Sequence, residues 1–435
     1  MWNKNIKKTP FTFLPYECAA AEEYLEIMAE KGWLLQSIKG IFYKFKKIKP
    51  KKIKYSVDVL HKVSIFDHKD SDVALEYREY CKAAGWNYVC QIGKIQIFYT
   101  EEDKKIISIH TDEEEKFKLV FKASLYNMGS QFIITIMLIF NFYIQLFIAD
   151  TGFALATNMG VLASVGTGSL ILMNSIGFVS FLLWVTKVRA NIKRNKGMNH
   201  SNYRQVKKKN ILRFSFATTY LFILLKLLIF NNLDSKGFNI TILTIMCIPI
   251  IIMIFVRKFI NKKRYAKNIN MGITIGSVIV STYVVLTLIV STVLIGSDSL
   301  QNEVPAQIVN LTSNDFGFVG DNSESPYMNY DKSIIAQRVH YSGGNNDNYL
   351  GYTIFQSDYA LVIKFYGNRL LSRLTSYNID LKEKSTNLPN NIAVYSDSVK
   401  RTFVLMSEDT VVEIRKDFIN ISDEEFLNKV YKKLF

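Results

Sequence analysis

Any chemistry this chain performs should show first in its ionisable and nucleophilic residues. The densest mixed cluster is Asp58, His61, Asp67, His68, Asp70 and Asp72, all residue types that ligate divalent cations. Their spacing matches neither the paired ligands of a zinc site nor the alternating oxygens of a calcium loop. The segment reads as a linker between two repeated units, and no metal is assigned to it. A second cluster is cationic: Lys44, Lys46, Lys47, Lys49, Lys51, Lys52 and Lys54 surround Pro50. As a plain structural feature this is a solvated loop. As a functional one it is a contact for a partner or for the anionic inner leaflet of a membrane, where each Lys near the surface contributes about 1 kcal/mol. No aromatic platform accompanies the lysines, so no nucleic acid is expected. Trp33 and Trp86 could line a groove, but a Trp that opens a strand after a helix more often seals a core.

Enzyme signatures are missing. The chain has no phosphate loop of the G-x-x-x-x-G-K-[ST] type, no H-E-x-x-H, no G-x-S-x-G and no C-x-x-C. Its histidines, His61, His68, His110, His200 and His340, are scattered over three regions, which leaves a His-based site few ways to assemble. No catalytic activity and no cofactor is expected.

The elements that carry these residues are dominated by five apolar runs, near Phe132 to Ile148, Val161 to Val185, Ile211 to Phe230, Phe238 to Val256 and Ile273 to Ile295. A hydrocarbon layer of about 30 Å needs roughly 20 such helical residues. The formal charge of +16 is concentrated between runs. Lys187, Arg189, Lys193, Arg194, Lys196, Arg204, Lys207, Lys208 and Lys209 follow the second run, and Arg257, Lys258, Lys262, Lys263, Arg264 and Lys267 follow the fourth. By the positive-inside rule both linkers face the cytoplasm, and the nearly charge-free linkers 150–160 and 231–237 face outward. The chain is therefore expected to be a multi-pass plasma-membrane protein with a cytoplasmic N-terminus and an extracytoplasmic C-terminus. Its first residues lack an apolar signal core, so the first span is expected to direct insertion.

Cysteine usage agrees with this layout. Cys18, Cys81 and Cys90 fall in the cytosolic part and Cys247 in a span, and the exported part has none. Lys226, about one turn from the outer end of the third run, is placed to snorkel as an anchor. Gly272 and Gly276 open the fifth run in a small-x-x-x-small pattern that suits close helix packing, in a bundle or in a homodimer. Pro249 should kink the fourth span.

Residues 1–126 contain a tandem repeat. Glu23-Tyr24-Leu25-Glu26 aligns with Glu76-Tyr77-Arg78-Glu79, which brings Gly32-Trp33 onto Gly85-Trp86, Gly40 onto Gly93 and Phe45 onto Phe98. Each unit reads as a helix ending at Gly, where positive φ is easiest, followed by a strand, a Gly turn and a second strand. Further strands near Lys54 to Leu60 and Ile106 to His110 would extend one sheet carrying both helices on one face. The pattern AEEYLEIMAEKGWLLQSIKGIFYKF, followed by YSVDV and EYREYCKAAGWNYVCQIGKIQIFY, resembles the N-terminal domain of an uncharacterised bacterial family of polytopic membrane proteins, domain of unknown function 2812. The resemblance implies a fold and a membrane setting, and brings no catalytic or ligand residues with it.

The overall expectation is a membrane all-α bundle of five predicted transmembrane helices (127–296), flanked by a cytosolic duplicated α+β domain (1–126) and an extracytoplasmic α+β domain (297–435). In the last, strands are expected near Ser333 to Tyr341, Tyr349 to Phe355, Asn391 to Tyr395, Arg401 to Met406 and Thr410 to Ile414. Helices are expected over Tyr359 to Leu374 and after the capping box that Ser422 opens. Two folded domains on opposite faces without catalytic motifs suggest a non-enzymatic sensor or regulator that signals to an unknown cytosolic protein partner. The exported domain would sense a ligand or dock a partner. A transport-related or immunity subunit is the competing class.

Overall fold

A computed structural model describes residues 5–60, 62–64, 66–101, 109, 112–194, 202–230, 236–263, 265–296, 310–316, 326–344, 349–417 and 421–435. Side chains are described for these except 227–230, 236–246, 261, 286 and 288–296.

The N-terminal region is built from β1 (Ile6–Pro10), α1 (Cys18–Glu30), β2 (Trp33–Lys39), β3 (Phe42–Lys47), β4 (Ile53–Val59), α2 (Asp72–Ala83), β5 (Asn87–Ile92) and β6 (Ile95–Glu101). The two helix-hairpin segments share their local geometry at positions 53 apart. Gly32 and Gly85 end the helices at φ 79° and 93°, and Gly40 and Gly93 turn the hairpins at φ 59° and 56°. The extra residue of a β-bulge falls at Gln36 in one hairpin and Val89 in the other. A side chain at Gly32 would also strike the Ile48 carbonyl, 2.9 Å away.

The single extended sheet expected from the pattern is replaced by two sheets of three strands, β1-β3-β2 and β4-β6-β5. The strand expected near Lys54 to Leu60 forms, but it pairs with β6, in register from Ile53 opposite Glu101 to Val59 opposite Ile95. The edge of the first hairpin is filled instead by β1, which pairs from Ile6 opposite Lys46 to Pro10 opposite Phe42. Five residues ending in Pro gave no strand signal of their own. Of the weaker strand near Ile106 to His110, all but Ile109 lies outside the described residues.

Helix α1 covers β4 with two carboxylates. Glu26 Oε1 accepts from Tyr55 N–H at 3.3 Å and Glu22 Oε1 from Val57 N–H at 2.8 Å. Four helical residues rise about 6 Å and two strand residues about 6.6 Å, so acids at i and i+4 reach alternate amides of an edge strand that would otherwise lack partners.

Five helices coincide with the apolar runs: α3 (Glu113–Tyr143), extended by a π-turn (Ile144–Ile148), α5 (Asn158–Lys193), α6 (Tyr203–Phe230), α7 (Lys236–Lys263) and α8 (Lys267–Gly296). Three stretches among the described residues, not five, are long and apolar enough to cross a membrane: Glu113–Ile148, Asn158–Lys193 and Lys267–Val285. The third and fourth expected crossings run into positions 227–246, whose side chains lie outside the described residues. The short α4 (Thr151–Ala156) joins α3 to α5. Helix α3 runs unbroken from Glu113, well before the first apolar run and through position 126; its first turns bury Phe117, Val120 and Met128.

The C-terminal region holds β7 (Tyr327–Lys332), β8 (Gln337–Gly343), β9 (Leu350–Gln356), α9 (Ala360–Ser376), β10 (Leu381–Glu383), β11 (Ala393–Asp397), β12 (Thr402–Met406), β13 (Thr410–Lys416) and α10 (Asp423–Leu434). They form one antiparallel sheet of seven strands in the order β10-β11-β12-β13-β9-β8-β7. Alternate residues divide its two faces. Phe403, Leu405, Val412 and Ile414 pack against Phe426, Leu427 and Val430 of α10, whereas Phe355, Val404 and Val411 pack against Ile363, Tyr366 and Leu370 of α9. Both faces are covered, so the central strands read as nearly continuous apolar runs.

The strand expected from Ser333 starts at Gln337, because Ser333 N–H bonds the Ala336 carbonyl at 2.8 Å and closes a turn. The β8–β9 connection spans the Gly-Gly-Asn-Asn signal, whose residues 345–346 lie outside the described set. Ser422 caps α10, with Oγ accepting from Glu425 N–H at 3.3 Å.

The chain divides into two compact units. The first comprises Met1–Ile136, Leu172–Ile223 and Ile240–Ser291; the second comprises Met137–Ile171, Leu224–Asn239 and Thr292–Phe435.

Candidate functional site

The residues singled out by type and spacing do not converge on one centre. Asp58 accepts from the Tyr77 hydroxyl, whose pKa is raised by burial and by the charge of Asp58. Asp67 Oδ2 accepts from Ser64 N–H at 2.7 Å, His68 Nδ1 accepts from Asp70 N–H at 3.1 Å, and Asp70 pairs with Arg78 at 2.8 Å. His61 lies outside the described residues. Among the described residues no three potential metal ligands come together.

The lysine run splits by element. Lys44, Lys46 and Lys47 belong to β3, Lys49, Lys51 and Lys52 to the connection after it, and Lys51 pairs with Glu101 at 2.5 Å. Trp86 is buried with Cys81 and Phe98. Trp33 is half-buried at the rim of the first unit's core with the Lys7 ammonium 5.4 Å from its ring centroid. At Gly272 and Gly276 an added Cβ would meet nothing within 4 Å, and the surface they offer is unoccupied by any described neighbour.

Two polar clusters that sequence reasoning missed join folded regions to the long helices. In the first unit the N-terminal domain is bolted to the basic ends of the helices. Thr12 Oγ1 donates to Asn210 Oδ1 and Asn210 Nδ2 donates to the Thr12 carbonyl, both at 2.8 Å. Tyr203 N–H donates to Glu23 Oε2 at 2.8 Å, and the Lys209 ammonium pairs with Glu17. Asn270 Nδ2 donates to the Phe66 carbonyl at 2.9 Å. Around these bonds Tyr16 meets Phe181 and Trp184 of α5, with ring centroids at 5.7 and 5.6 Å, and Phe117 of α3 meets Trp184 at 5.6 Å.

Within this junction Glu22 is a strongly perturbed acid. Burial pushes its carboxyl from 4.5 up to about 7; Lys116 and the Val57 N–H oppose the shift, and Glu26 and Asp58 add to it. Cys18 beside it is raised well above its usual value, chiefly by burial and then by the charges of Glu22 and Asp58. A thiol held protonated is a poor nucleophile.

In the second unit the linker from α3 to α5 is built into the C-terminal domain. Asp150 caps α4, its Oδ1 accepting from Gly152 N–H at 3.0 Å, and pairs with Arg338 of β8. Arg338 also reaches Asp331 of β7 at 3.2 Å, and Arg373 of α9 bonds Glu413 of β13 at 3.0 Å while lying 3.9 Å from Asp150. Two guanidiniums thus serve three carboxylates. Burial works against the Asp150 charge, yet Arg338 and Arg373 hold its carboxyl below the usual range. Burial raises Asp331 and Glu413, the two acids with the smaller share of positive charge.

Around the cluster Ser333 Oγ donates to the Leu155 carbonyl at 2.6 Å and Ile334 N–H donates to Asn158 Oδ1 at 3.1 Å. Arg369 donates to the Phe147 carbonyl, and Ala156 is fully buried with Ala336, Phe355 and Tyr366. The arrangement holds charge in fixed pairs, and beside it the His340 ring Nδ1 lies 2.9 Å from the Thr353 hydroxyl. Its chemistry is that of a clamp. The sequence signal for it was a lone Asp in a charge-free linker, whose partners sit 188 and more positions downstream.

Compared with known proteins, residues 17–132 match the family of proteins of unknown function designated DUF2812, over both helix-hairpin segments and the start of α3. No curated protein and no solved structure matches the chain.

Proposed function

We propose that this chain, whose N-terminal domain is of the DUF2812 family, is a plasma-membrane protein that crosses the bilayer five times and acts as a non-enzymatic sensor or regulator. It couples an event at the extracytoplasmic C-terminal domain to a cytosolic partner of the duplicated N-terminal domain. The observation that carries the reading is the use made of α5. Its first residue, Asn158, is bonded to the C-terminal domain, and Trp184, Val185 and Val188 near its end are core residues of the N-terminal one.

The charge pattern supports the same assignment. The C-terminal domain grips the linker that carries no basic residue, 150–160, and the N-terminal domain grips helix ends rich in Lys and Arg, as the positive-inside rule requires of opposite faces. A ligand can shift such a device only through different contacts in two states, and the Asp150 clamp is the joint where such a difference would reach the helices.

The test is hydrogen exchange on the full chain in nanodiscs, parent against Arg338→Ala. The reading expects that releasing the clamp alters protection at Tyr16–Glu30 and Trp184–Val188 as well as in β7–β9. A variant whose C-terminal domain loosens while the N-terminal pattern stays unchanged would refute coupling.

A further inference from the structure

We propose that the tip and outer face of the first hairpin seat in the headgroup layer of an anionic bilayer, a contact that rests on the membrane reading above and adds a lipid-binding surface to it. The sheet β1-β3-β2 buries Leu35, Tyr43 and Phe45 on one side. Register places Lys8, Lys44 and Lys46 on the other, with Lys39 opposite Phe42 at the turn. No acidic residue occurs in any of the three strands, and none of these four ammonium groups is ion-paired among the described residues. Lys8 stands directly opposite Lys44, a like-charge pair that weakens a sheet unless something anionic covers it. Next to these cations Ile41 and Phe42 are 40 % and 51 % exposed at the hairpin tip. Exposed apolar residues ringed by Lys suit an interface with an oily side and an anionic rim.

The depth of the tip identifies the bilayer as the occupant. Ile41 O accepts from Phe11 N–H at 2.9 Å, and the next residue, Thr12, is doubly bonded to Asn210 of α6. Directly after Asn210 come Ile211 and Leu212, 57 % and 65 % exposed, where the third apolar run begins. The tip is thus tied to the level at which α6 turns apolar.

The second hairpin supplies an internal comparison. Lys94 stands 53 positions after Ile41, and its ammonium lies 5.5 Å from the Tyr126 ring centroid of α3; the neighbouring Ile95 is half-buried against the core. One tip is seated on protein and the other, with the lysine face, is left uncovered by the described residues.

The test uses the full chain with Cys18, Cys81, Cys90 and Cys247 replaced by Ala. An environment-sensitive fluorophore is placed singly on Phe42→Cys, on Leu172→Cys in α5 and on Glu79→Cys in α2. The proteins are reconstituted in nanodiscs of phosphatidylcholine with or without phosphatidylglycerol. The expected result is a blue shift at position 42 and quenching there by headgroup spin-labelled lipid. Both effects should be stronger in anionic discs and lost on adding Lys44→Glu and Lys46→Glu, while position 79 stays solvent-like. Lipid quenching at 172 with a solvent-like signal at 42 in anionic discs would overturn the lipid contact alone. The absence of lipid quenching at both 42 and 172 would overturn the membrane reading together with it.

Discussion

Glu22 carries a pH dependence whose sign follows from its burial. Its folded pKa, about 7, lies above the 4.5 of an ordinary Glu, so between those values the folded chain holds a proton the unfolded chain has lost. The stabilisation is complete below about pH 4.5 and is lost as pH rises through about 7. Glu22→Gln keeps an oxygen for the Val57 N–H and removes the charge. It should raise the unfolding free energy by about 1–3 kcal/mol at pH 8 and by much less at pH 5, read by thermal denaturation of the full chain at the two pH values. Equal gains at both would refute the burial argument. Arg338 is the second residue with a sharp expectation. Its side chain is 12 % exposed between two carboxylates, and Arg338→Ala leaves buried charge uncompensated. Denaturant unfolding of the C-terminal domain should show a loss of about 3–5 kcal/mol. Lys382→Ala, which breaks an 83 % exposed pair, should change it by under about 0.5 kcal/mol.

At the scale of elements, helices and hairpins were readable because their signals are local. Gly32 and Gly40, repeated at Gly85 and Gly93, mark helix ends and turns by needing positive φ. The pattern around Ser422 marked the final helix, and its cap has a measurable worth: Ser422→Ala should cost about 1 kcal/mol of C-terminal-domain stability in the same denaturant titration. Sheet membership was not readable. β4 carries a strand pattern that fits either hairpin, and its place beside β6 is decided by long-range pairing and by Glu22 and Glu26 on α1. β1 and β10 are an edge strand of five residues and one of three, too short to show an alternation. The two polar junctions escaped for the same reason. Asp150 with Arg338, and Thr12 with Asn210, are pairs separated by 188 and 198 positions, and composition says nothing about which distant residues meet.

For the whole molecule the governing quantity is the placement of charge along the chain, which was legible from the start. It predicts that a membrane-impermeant thiol reagent applied to intact cells will label Val399→Cys and spare Lys52→Cys in a cysteine-free background. Both side chains are exposed. Equal labelling of the two would rule out an odd number of crossings. The glycine face of α8 belongs to this scale as well. Because Gly272 and Gly276 have open space before them, Gly272→Leu together with Gly276→Leu should leave thermal stability within about 0.5 kcal/mol. If α8 lines a homodimer, the pair of substitutions should abolish crosslinking between copies.

The clamp at Asp150 also has a bearing on how the protein is made. Its guanidinium partner is encoded 188 residues later, so a ribosome adding about 5–20 residues per second leaves the α3–α5 hairpin waiting on the order of 10–40 s. During that interval the carboxylate has only water and the start of α4 for company. A nascent chain cut short before Arg338 would never acquire its latch.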